Sequence, residues 1–445
     1  MVVSLIALDV LISTVYDFSE PLLSQYFGTA IFIIMTYFVL GIGNYYILPF
    51  INKANKKVIE KSNLFRWSYN LVIVSQIIIA TCLTVIIFEV LFFGYFNAVI
   101  KILIISLSSI LGSFVLAALG YRLLKWYNIN REHSRIVLFY SLAMILSSFS
   151  IGVNGALVFN GLILSDSQLI KPELDVTFPI LTYESYGNLV PLLIISLLVY
   201  IAAYICVWLG TVSLFYAKIR SYRKNRIKIW ALAFASLSSY LIAILPTLAY
   251  LPTNQFIFDD QTLLSFRILF KVAVIMSGVF FGIIFIFISN SLSKMNGEES
   301  TAKEPISSYA RFCAYGIVIL TCITVSQPYN VTYPPFGLLS TSYTALASYI
   351  IALGFYSLAI SFSSDYSLRK TIDNEIKEAI LLSKMGKAQM MTDLENRVVE
   401  LSKKNQEYLN QQTGVESSLT EEDAKQYLDL VLNEIESVRG KHETS

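Results

Sequence analysis

Histidine, cysteine and charged side chains are scarce in this chain of 445 residues, which has two histidines, four cysteines and 14% charged residues. The two histidines, His133 and His442, both lie in polar segments, which excludes a haem or zinc site held by paired histidines inside a membrane. The cysteines show no C-x-x-C spacing and all fall within apolar runs, so we interpret them as small apolar side chains (Cys82, Cys206, Cys313 and Cys322).

Motifs of phosphate binding and catalysis are absent as well. The sequence contains no P-loop, G-x-G-x-x-G, H-E-x-x-H or G-x-S-x-G string. We therefore expect a protein that is not an enzyme and that uses no cofactor or metal. A nucleic-acid partner is not expected either.

Apolar residues, by contrast, are abundant, at 55% of the chain, which is typical of an integral membrane protein. A helix needs about 20 apolar residues to cross a hydrocarbon core roughly 30 Å thick. Nine segments meet that need, and they predict an all-α, polytopic bundle of about nine spans in contact with the lipid bilayer. The predicted spans are 28–49, 69–92, 98–121, 136–160, 189–215, 230–250, 268–290, 312–327 and 343–363.

These spans divide the chain into an outer-surface segment (1–27), a transmembrane bundle (28–363) and a cytoplasmic helical tail (364–445). The first segment is apolar but interrupted by Asp9, and it lacks the basic start of a signal peptide. We expect a short helix on the outer surface. A tenth span and a cleaved signal are the two alternatives.

Lysine and arginine concentrate in alternate loops, which predicts the orientation because positively charged short loops stay in the cytoplasm. Loops 51–67, 121–135 and 217–229 hold five, four and six basic residues, whereas the connections on the other side hold only Lys171. We expect the cytoplasmic (cell) membrane as location, with the N-terminus outside and the C-terminus inside.

The tail carries two apolar stripes at helical spacing. The first contains Leu394, Val398 and Leu401, and the second contains Ala424 and Leu428. Two amphipathic helices are predicted. Their stripes either pack on each other or on the bundle, or they form a coiled-coil-like surface for a cytoplasmic partner or a second copy of the chain.

A few charged residues lie close to the predicted outer ends of spans, where they form a candidate outer-face site. They can either extend to the lipid headgroups or line a charged vestibule, and Glu89 and Lys101 are placed to pair across a short hairpin. The candidate residues are Glu89, Lys101, Asp259, Asp260, Arg267 and Lys271.

The stretch "TYPPFG" before the last span supplies further candidates, namely Tyr333, Pro334, Pro335, Phe336 and Gly337. Proline fixes φ and removes a backbone donor, so helix cannot continue through this loop, and the glycine permits a turn. We expect a stiff outer strut whose aromatic side chains lie at the membrane interface. It serves either as a cap that sets the tilt of span nine or as a ligand contact that moves it.

At "YPPFG" and "SSDYSLRKTI…LLSKMGKAQM" the chain resembles uncharacterised multispanning membrane proteins of ammonia-oxidising archaea, over roughly its last third. The resemblance implies an archaeal cytoplasmic membrane and carries no activity.

Two function classes are compatible with these features. A sensor would couple an outer site to the tail, and a transporter or channel would pass a small solute between helices. The long tail and the scarcity of charge in mid-membrane slightly favour the sensor. An intramembrane enzyme is a third and weaker interpretation.

Overall fold

The computed structural model describes most of the residues up to position 361 and two short parts of the tail. The described residues are 2–16, 25–45, 63–129, 135–163, 169–170, 190–219, 226–250, 260–294, 304–324, 334–361, 395–407 and 424–428, together with positions 49, 51 and 422.

Eleven helices and one short strand pair make up the membrane part as described. The helices are α1 (Val2–Tyr16), α2 (Gln25–Tyr37), α3 (Asn63–Phe93), α4 (Ala98–Ile129), α5 (Arg135–Ile163), α6 (Val190–Ile219), α7 (Arg226–Tyr250), α8 (Asp260–Lys294), α9 (Glu304–Thr324), α10 (Leu338–Ser342) and α11 (Thr344–Ser361). A π-helix, Phe38–Gly43, continues α2. The strands β1 (Phe96–Asn97) and β2 (Leu169–Ile170) pair antiparallel.

All nine predicted spans coincide with helices, which confirms a helical membrane bundle. Among the described residues, seven helices are long and apolar enough to cross a membrane: α3, α4, α5, α6, α8, α9 and α11. The predicted first and sixth spans contain shorter apolar helices, at Phe27–Gly41 and Trp230–Ile242. The exact number of spans therefore stays a prediction.

The last span, α11, lies at the centre of the bundle. All of its residues from Thr344 to Ser361 are buried, whereas fewer than half of the residues in the most apolar stretches of α3, α4 and α6 are buried. Its aromatic side chains contact α3, α5 and α8: Tyr356 packs edge-on against Phe65, and Phe355 stacks on Tyr140 at 4.4 Å between ring centroids.

Small residues allow helices to pack closely around this centre. Gly278 and Gly282 of α8 face Thr321 and Val318 of α9, so the G-x-x-x-G sequence that these two glycines form lies at a helix contact. A Cβ atom at Gly354 of α11 would approach the backbone nitrogen of Cys313 in α9 to 2.8 Å.

The first 27 residues include a helix that packs on the bundle, whereas we expected one lying on its outer surface. Through α1, this segment contacts α8, α9, α10 and the π-helix. Ile6, Asp9 and Val10 are buried on that contact face. The division of the chain into three segments stays a prediction.

The described parts of the tail are helical, at 395–407 and 424–428. Glu395 and Lys425 connect them through an ion pair of 2.8 Å, and Val398, Ala424 and Leu428 are buried. The two apolar stripes of the tail therefore lie beside each other in these parts.

A candidate polar site inside the helical bundle

The last span is preceded by an interruption, and the local sequence explains it. Pro334 and Pro335 cannot donate the backbone hydrogen bonds of a helix. Gly337 follows with φ of 83°, the left-handed conformation that favours glycine. The chain then makes one short helix, α10, and a second break at Tyr343 before α11 begins. Residues 334–343 are all buried, so this irregular backbone lies inside the protein.

Asp9 of α1 binds the start of this irregular segment. One of its carboxylate oxygens accepts a hydrogen bond from the backbone nitrogen of Gly337 at 3.0 Å, and the other accepts one from Ser340 at 2.9 Å. Both oxygens act as acceptors, as in an ionised carboxylate. Asp9 is 1% exposed, and the interaction joins residues more than 300 positions apart in the chain.

Ser108 of α4 bridges the second break. Its hydroxyl oxygen lies 2.9 Å from the carbonyl oxygen of Thr341 and 3.3 Å from that of Ser342, and it accepts a hydrogen bond from the nitrogen of Ala345 at 3.3 Å. Helix ends leave such groups without partners, and lipid cannot supply them. A single serine thus connects the end of α10 to the start of α11.

Tyr343, the residue between the two helices, connects them to the π-helix. Its hydroxyl lies 2.8 Å from the carbonyl oxygen of Val39 and 3.1 Å from Oδ1 of Asn44, so one proton serves two acceptors. Isolated π-helical turns occur often at functional sites because they free backbone groups. Two irregular helical segments therefore meet at this tyrosine.

We call this arrangement the Asp9 junction, formed by Asp9, Ser108, Tyr343, the π-helix and residues 337–345. It lies well inside the bundle, because Ser108 is about 15 Å along α4 from the first residue of that helix, at 1.5 Å per residue. Lys271 of α8, 1% exposed, is close enough to interact electrostatically with Asp9. A carboxylate and an ammonium group thus share the enclosed region.

The chemistry available in the junction is dominated by oxygen. Besides the carboxylate, it offers the carbonyl oxygens of Val39, Thr341 and Ser342 and the hydroxyl of Ser340, which donates to the carbonyl of Gly337 at 2.8 Å. Oxygen atoms of these kinds bind hard cations or ammonium groups. Among the described residues there is no group of three or more His, Cys, Asp or Glu that could hold a metal ion.

The structure describes the side chains of three of the six charged residues that the sequence predicted at the outer face. Lys101 is fully buried and Lys271 nearly so, whereas we considered that both could extend to the headgroups. Oε2 of Glu89 accepts a hydrogen bond from the nitrogen of Asn97 at 2.8 Å, and its pairing with Lys101 stays a prediction.

Three other predicted residues, Asp259, Asp260 and Arg267, fall outside the described side chains. The charged vestibule that these residues would help to form therefore stays a prediction.

The proline-containing loop differs from our expectation at Phe336. This side chain is 2% exposed and packs edge-on against Phe32 of α2 at 5.9 Å, so it belongs to the bundle core instead of the membrane interface. Pro334 and Pro335 are buried too, and Tyr333 lies outside the described residues. The backbone nitrogen of the next residue, Gly337, donates to the buried carboxylate of Asp9, which holds this end of the loop inside the bundle.

The central residue, Asp9, was not among our predicted site residues. The signal for it was a single carboxylate in an otherwise apolar run of sixteen residues, "MVVSLIALDVLISTVY". Such a residue costs free energy inside a bundle unless it is hydrogen-bonded. Ser108 and Asn44 lie within predicted spans, but sequence spacing does not reveal their partners, which are the backbone of residues 341–345 for Ser108 and Tyr343 for Asn44.

A small cavity of about 40 Å³ lies between α11 and its neighbours, and most of its lining residues are apolar. Tyr200, Tyr204 and Thr321 contribute to its lining. The hydroxyl of Tyr200 donates to Thr324 at 3.1 Å, and that of Tyr204 donates to the carbonyl of Ser236 at 3.1 Å. The cavity is large enough for one or a few water molecules.

Comparison of the chain with protein-family models, curated proteins and solved structures finds no match.

Proposed function

We propose that this integral membrane protein is a transporter for a small cation or a small solute with a cationic group, and that the Asp9 junction binds it. The observation that carries the proposal is the enclosed carboxylate of Asp9, which binds the interrupted backbone at Gly337 and Ser340. Ionisable groups inside membrane bundles are rare because they are costly, and they often mark the path of an ion or substrate.

The helix interruption supports the same proposal. In many secondary transporters, substrates and coupling ions bind where a membrane helix is broken, because the break exposes backbone groups to the site. Here the breaks before and after α10 lie next to Asp9 and Ser108. A cation would interact with the carboxylate and nearby carbonyl oxygens, while Lys271 would act as the internal positive charge that it displaces.

The buried charged side chains of the bundle favour transport over sensing. The sensor was preferred partly because mid-membrane charge was scarce in the sequence. Among the described residues, three acidic or basic side chains are buried in the bundle, those of Asp9, Lys101 and Lys271. Since the junction is closed to solvent, uptake of a solute requires α10 to separate from α1 or α4.

The sensor function is a second candidate, and it too has a specific observation behind it. The buried helix α11 leads from the junction toward the tail and is enclosed along its whole described length. A shift of α10 would be passed to Ser361 and the segment that follows. In this alternative the tail helices contact a cytoplasmic partner or a second copy of the chain.

The location and orientation belong to the proposal as well. The alternation of basic loops supports a cytoplasmic membrane with the N-terminus outside and the C-terminus inside. The resemblance of the last third to archaeal membrane proteins supports an archaeal cell.

Electrometry on proteoliposomes that contain the full chain tests the transport proposal. Gradients of proton, sodium, potassium and ammonium ions are applied in turn, and Asp9→Asn is compared with the unmodified protein. We expect a transient current for at least one cation, reduced about tenfold or more by Asp9→Asn. Absence of current for every cation, in protein that is folded and monodisperse, would favour the sensor instead.

A further inference from the structure

A groove on the outside of the bundle lies between the end of the π-helix and α3, apart from the Asp9 junction. Its volume is about 700 Å³, and it is lined by Asn44, Gln76, Ile77, Ala80, Thr81, Thr84, Val85 and Phe88. Ile77 and Phe88 are 60% and 52% exposed, so the groove opens on the apolar outer surface of the bundle. We call it the Gln76 groove.

Gln76 gives this groove an unusual polar end. The side chain is 1% exposed, and neither its amide nitrogen nor its amide oxygen has a hydrogen-bond partner among the described residues. An amide buried without partners costs about 1–3 kcal/mol, so such groups are rare unless a ligand or water completes them. The groove wall thus holds two donor hydrogens and an acceptor oxygen ready for a ligand.

Three other polar groups of the groove are already engaged. The hydroxyl of Thr81 donates to the carbonyl of Ile77 at 3.0 Å, and that of Thr84 donates to Ala80 at 2.8 Å. Oδ1 of Asn44 accepts from Tyr343. Among the described lining residues, Gln76 is the one whose buried amide has both its nitrogen and its oxygen without a hydrogen-bond partner.

The position of Gln76 along α3 restricts the class of ligand. It is thirteen residues from Asn63 and seventeen from Phe93 in this helix, and seven residues inside the start of the predicted span at position 69, which is about 10 Å along the helix axis. A phospholipid headgroup is charged and is most stable at the membrane surface, so this depth favours a less polar head group. None of the described lining residues is charged, which also favours an uncharged ligand.

We propose that the Gln76 groove binds an isoprenoid quinone, with a carbonyl oxygen of its head group accepting a hydrogen bond from the Gln76 amide. Its chain would run along Ile77, Val85 and Phe88 toward the end of α3. A volume of 700 Å³ is within the ordinary range of small-molecule sites, roughly 300–1,000 Å³. The Gln76 amide needs an acceptor more than it needs a donor, because a buried N–H without a partner is rarer in proteins than a carbonyl oxygen without one. A ligand with a carbonyl group in its head supplies that acceptor.

The test uses the full-length protein in detergent and a naphthoquinone with a geranylgeranyl chain as the probe. Native mass spectrometry measures binding of this probe, of a polyprenol and of dioleoyl phosphatidylcholine. The variants are Gln76→Leu, which removes the amide, and Ala80→Phe, which fills the groove. Ile78→Phe is the matched control, because Ile78 is exposed on the same helix but does not line the groove.

We expect the naphthoquinone to bind more tightly than either other lipid. Gln76→Leu should weaken its binding about 3- to 10-fold, the usual effect of one lost hydrogen bond. Ala80→Phe should weaken it about tenfold or more through overpacking, and Ile78→Phe should leave it unchanged. Gln76→Leu without probe should unfold at the same or a higher temperature, because the variant removes a buried unpaired amide.

Three results would overturn the inference. Equal binding of phosphatidylcholine would identify the groove as an ordinary lipid contact, and tighter binding of the polyprenol would show that the head is not a carbonyl. Equal naphthoquinone binding by Ala80→Phe and Ile78→Phe would show that the probe binds elsewhere.

Discussion

At the scale of single residues, Asp9 and Tyr343 hold together parts of the chain that are distant in sequence. Asp9 connects α1 to the start of α10, and Tyr343 connects the next break to Val39 in the π-helix. Each supplies partners to backbone groups that would otherwise be buried without them, and such groups are costly in a membrane bundle.

Replacement of Asp9 by asparagine should lower the free energy of unfolding by about 1–3 kcal/mol, because the new amide group cannot accept the hydrogen bond of one backbone N–H. Ser13→Ala is the matched control on α1: Ser13 is also buried, but its hydroxyl donates only within its own helix, to Val10. Thermal unfolding in detergent compares the two. Equal transitions would show that the contacts of Asp9 contribute little.

A tyrosine pair provides an internal comparison. Tyr343→Phe should destabilise by about 1–2 kcal/mol, since it removes the donor to Val39. Tyr240→Phe should be neutral or stabilising, because the hydroxyl of Tyr240 is buried with no hydrogen bond among the described residues. Both changes remove one oxygen from a buried ring. The same chemical unfolding curve for both variants would contradict the assigned role of Tyr343.

At the scale of helices, an added Cβ at a described glycine comes nearest to neighbouring backbone between α9 and α11. A Cβ at Gly354 would be 2.7 Å from Sγ of Cys313 and 2.8 Å from its backbone nitrogen. The sulfur can move, but the backbone cannot move without shifting α9. The contact between these two helices therefore depends on glycine.

Gly354→Ala should accordingly destabilise by about 1–3 kcal/mol, even though alanine favours helix more than glycine does. Gly41→Ala is the control, because an added Cβ there meets nothing within 4 Å. Differential scanning fluorimetry of the two variants in the same detergent gives the comparison. If Gly354→Ala melts no lower than Gly41→Ala, the close packing is not a constraint.

The helices themselves could be predicted from sequence, because a span needs only a long apolar run. The packing partners could not. Pro334 and Pro335 predicted that helix stops before span nine, but nothing in that stretch indicates that Asp9 binds the following turn. For Lys101, the sequence predicted a position near the outer surface, either at the lipid headgroups or in a vestibule, whereas the side chain is buried. Sequence alone does not show which helices enclose a side chain.

For the molecule as a whole, the basic loops predict the orientation in the membrane. In a background without the four native cysteines, single cysteines at Ser62, Asn225 and Asn296 should resist a membrane-impermeant thiol reagent in intact cells. Cysteines at Ser167 and Thr253 should react, because their loops are predicted to lie outside. All five positions lie outside the described residues. Labelling of Asn225→Cys from outside would reverse the assigned topology.

The most direct test of the proposed function is whether a cationic reagent can reach the Asp9 junction. In proteoliposomes, Ser340→Cys is treated with the trimethylammonium-ethyl methanethiosulfonate reagent, applied to each side in turn. Ser357→Cys, in the buried part of α11 away from the junction, is the control. We expect Ser340→Cys to react from at least one side, more slowly when Asp9→Asn is also present, while Ser357→Cys does not react. Failure of Ser340→Cys to react from either side, while Thr253→Cys is labelled, would contradict a transport path through the junction.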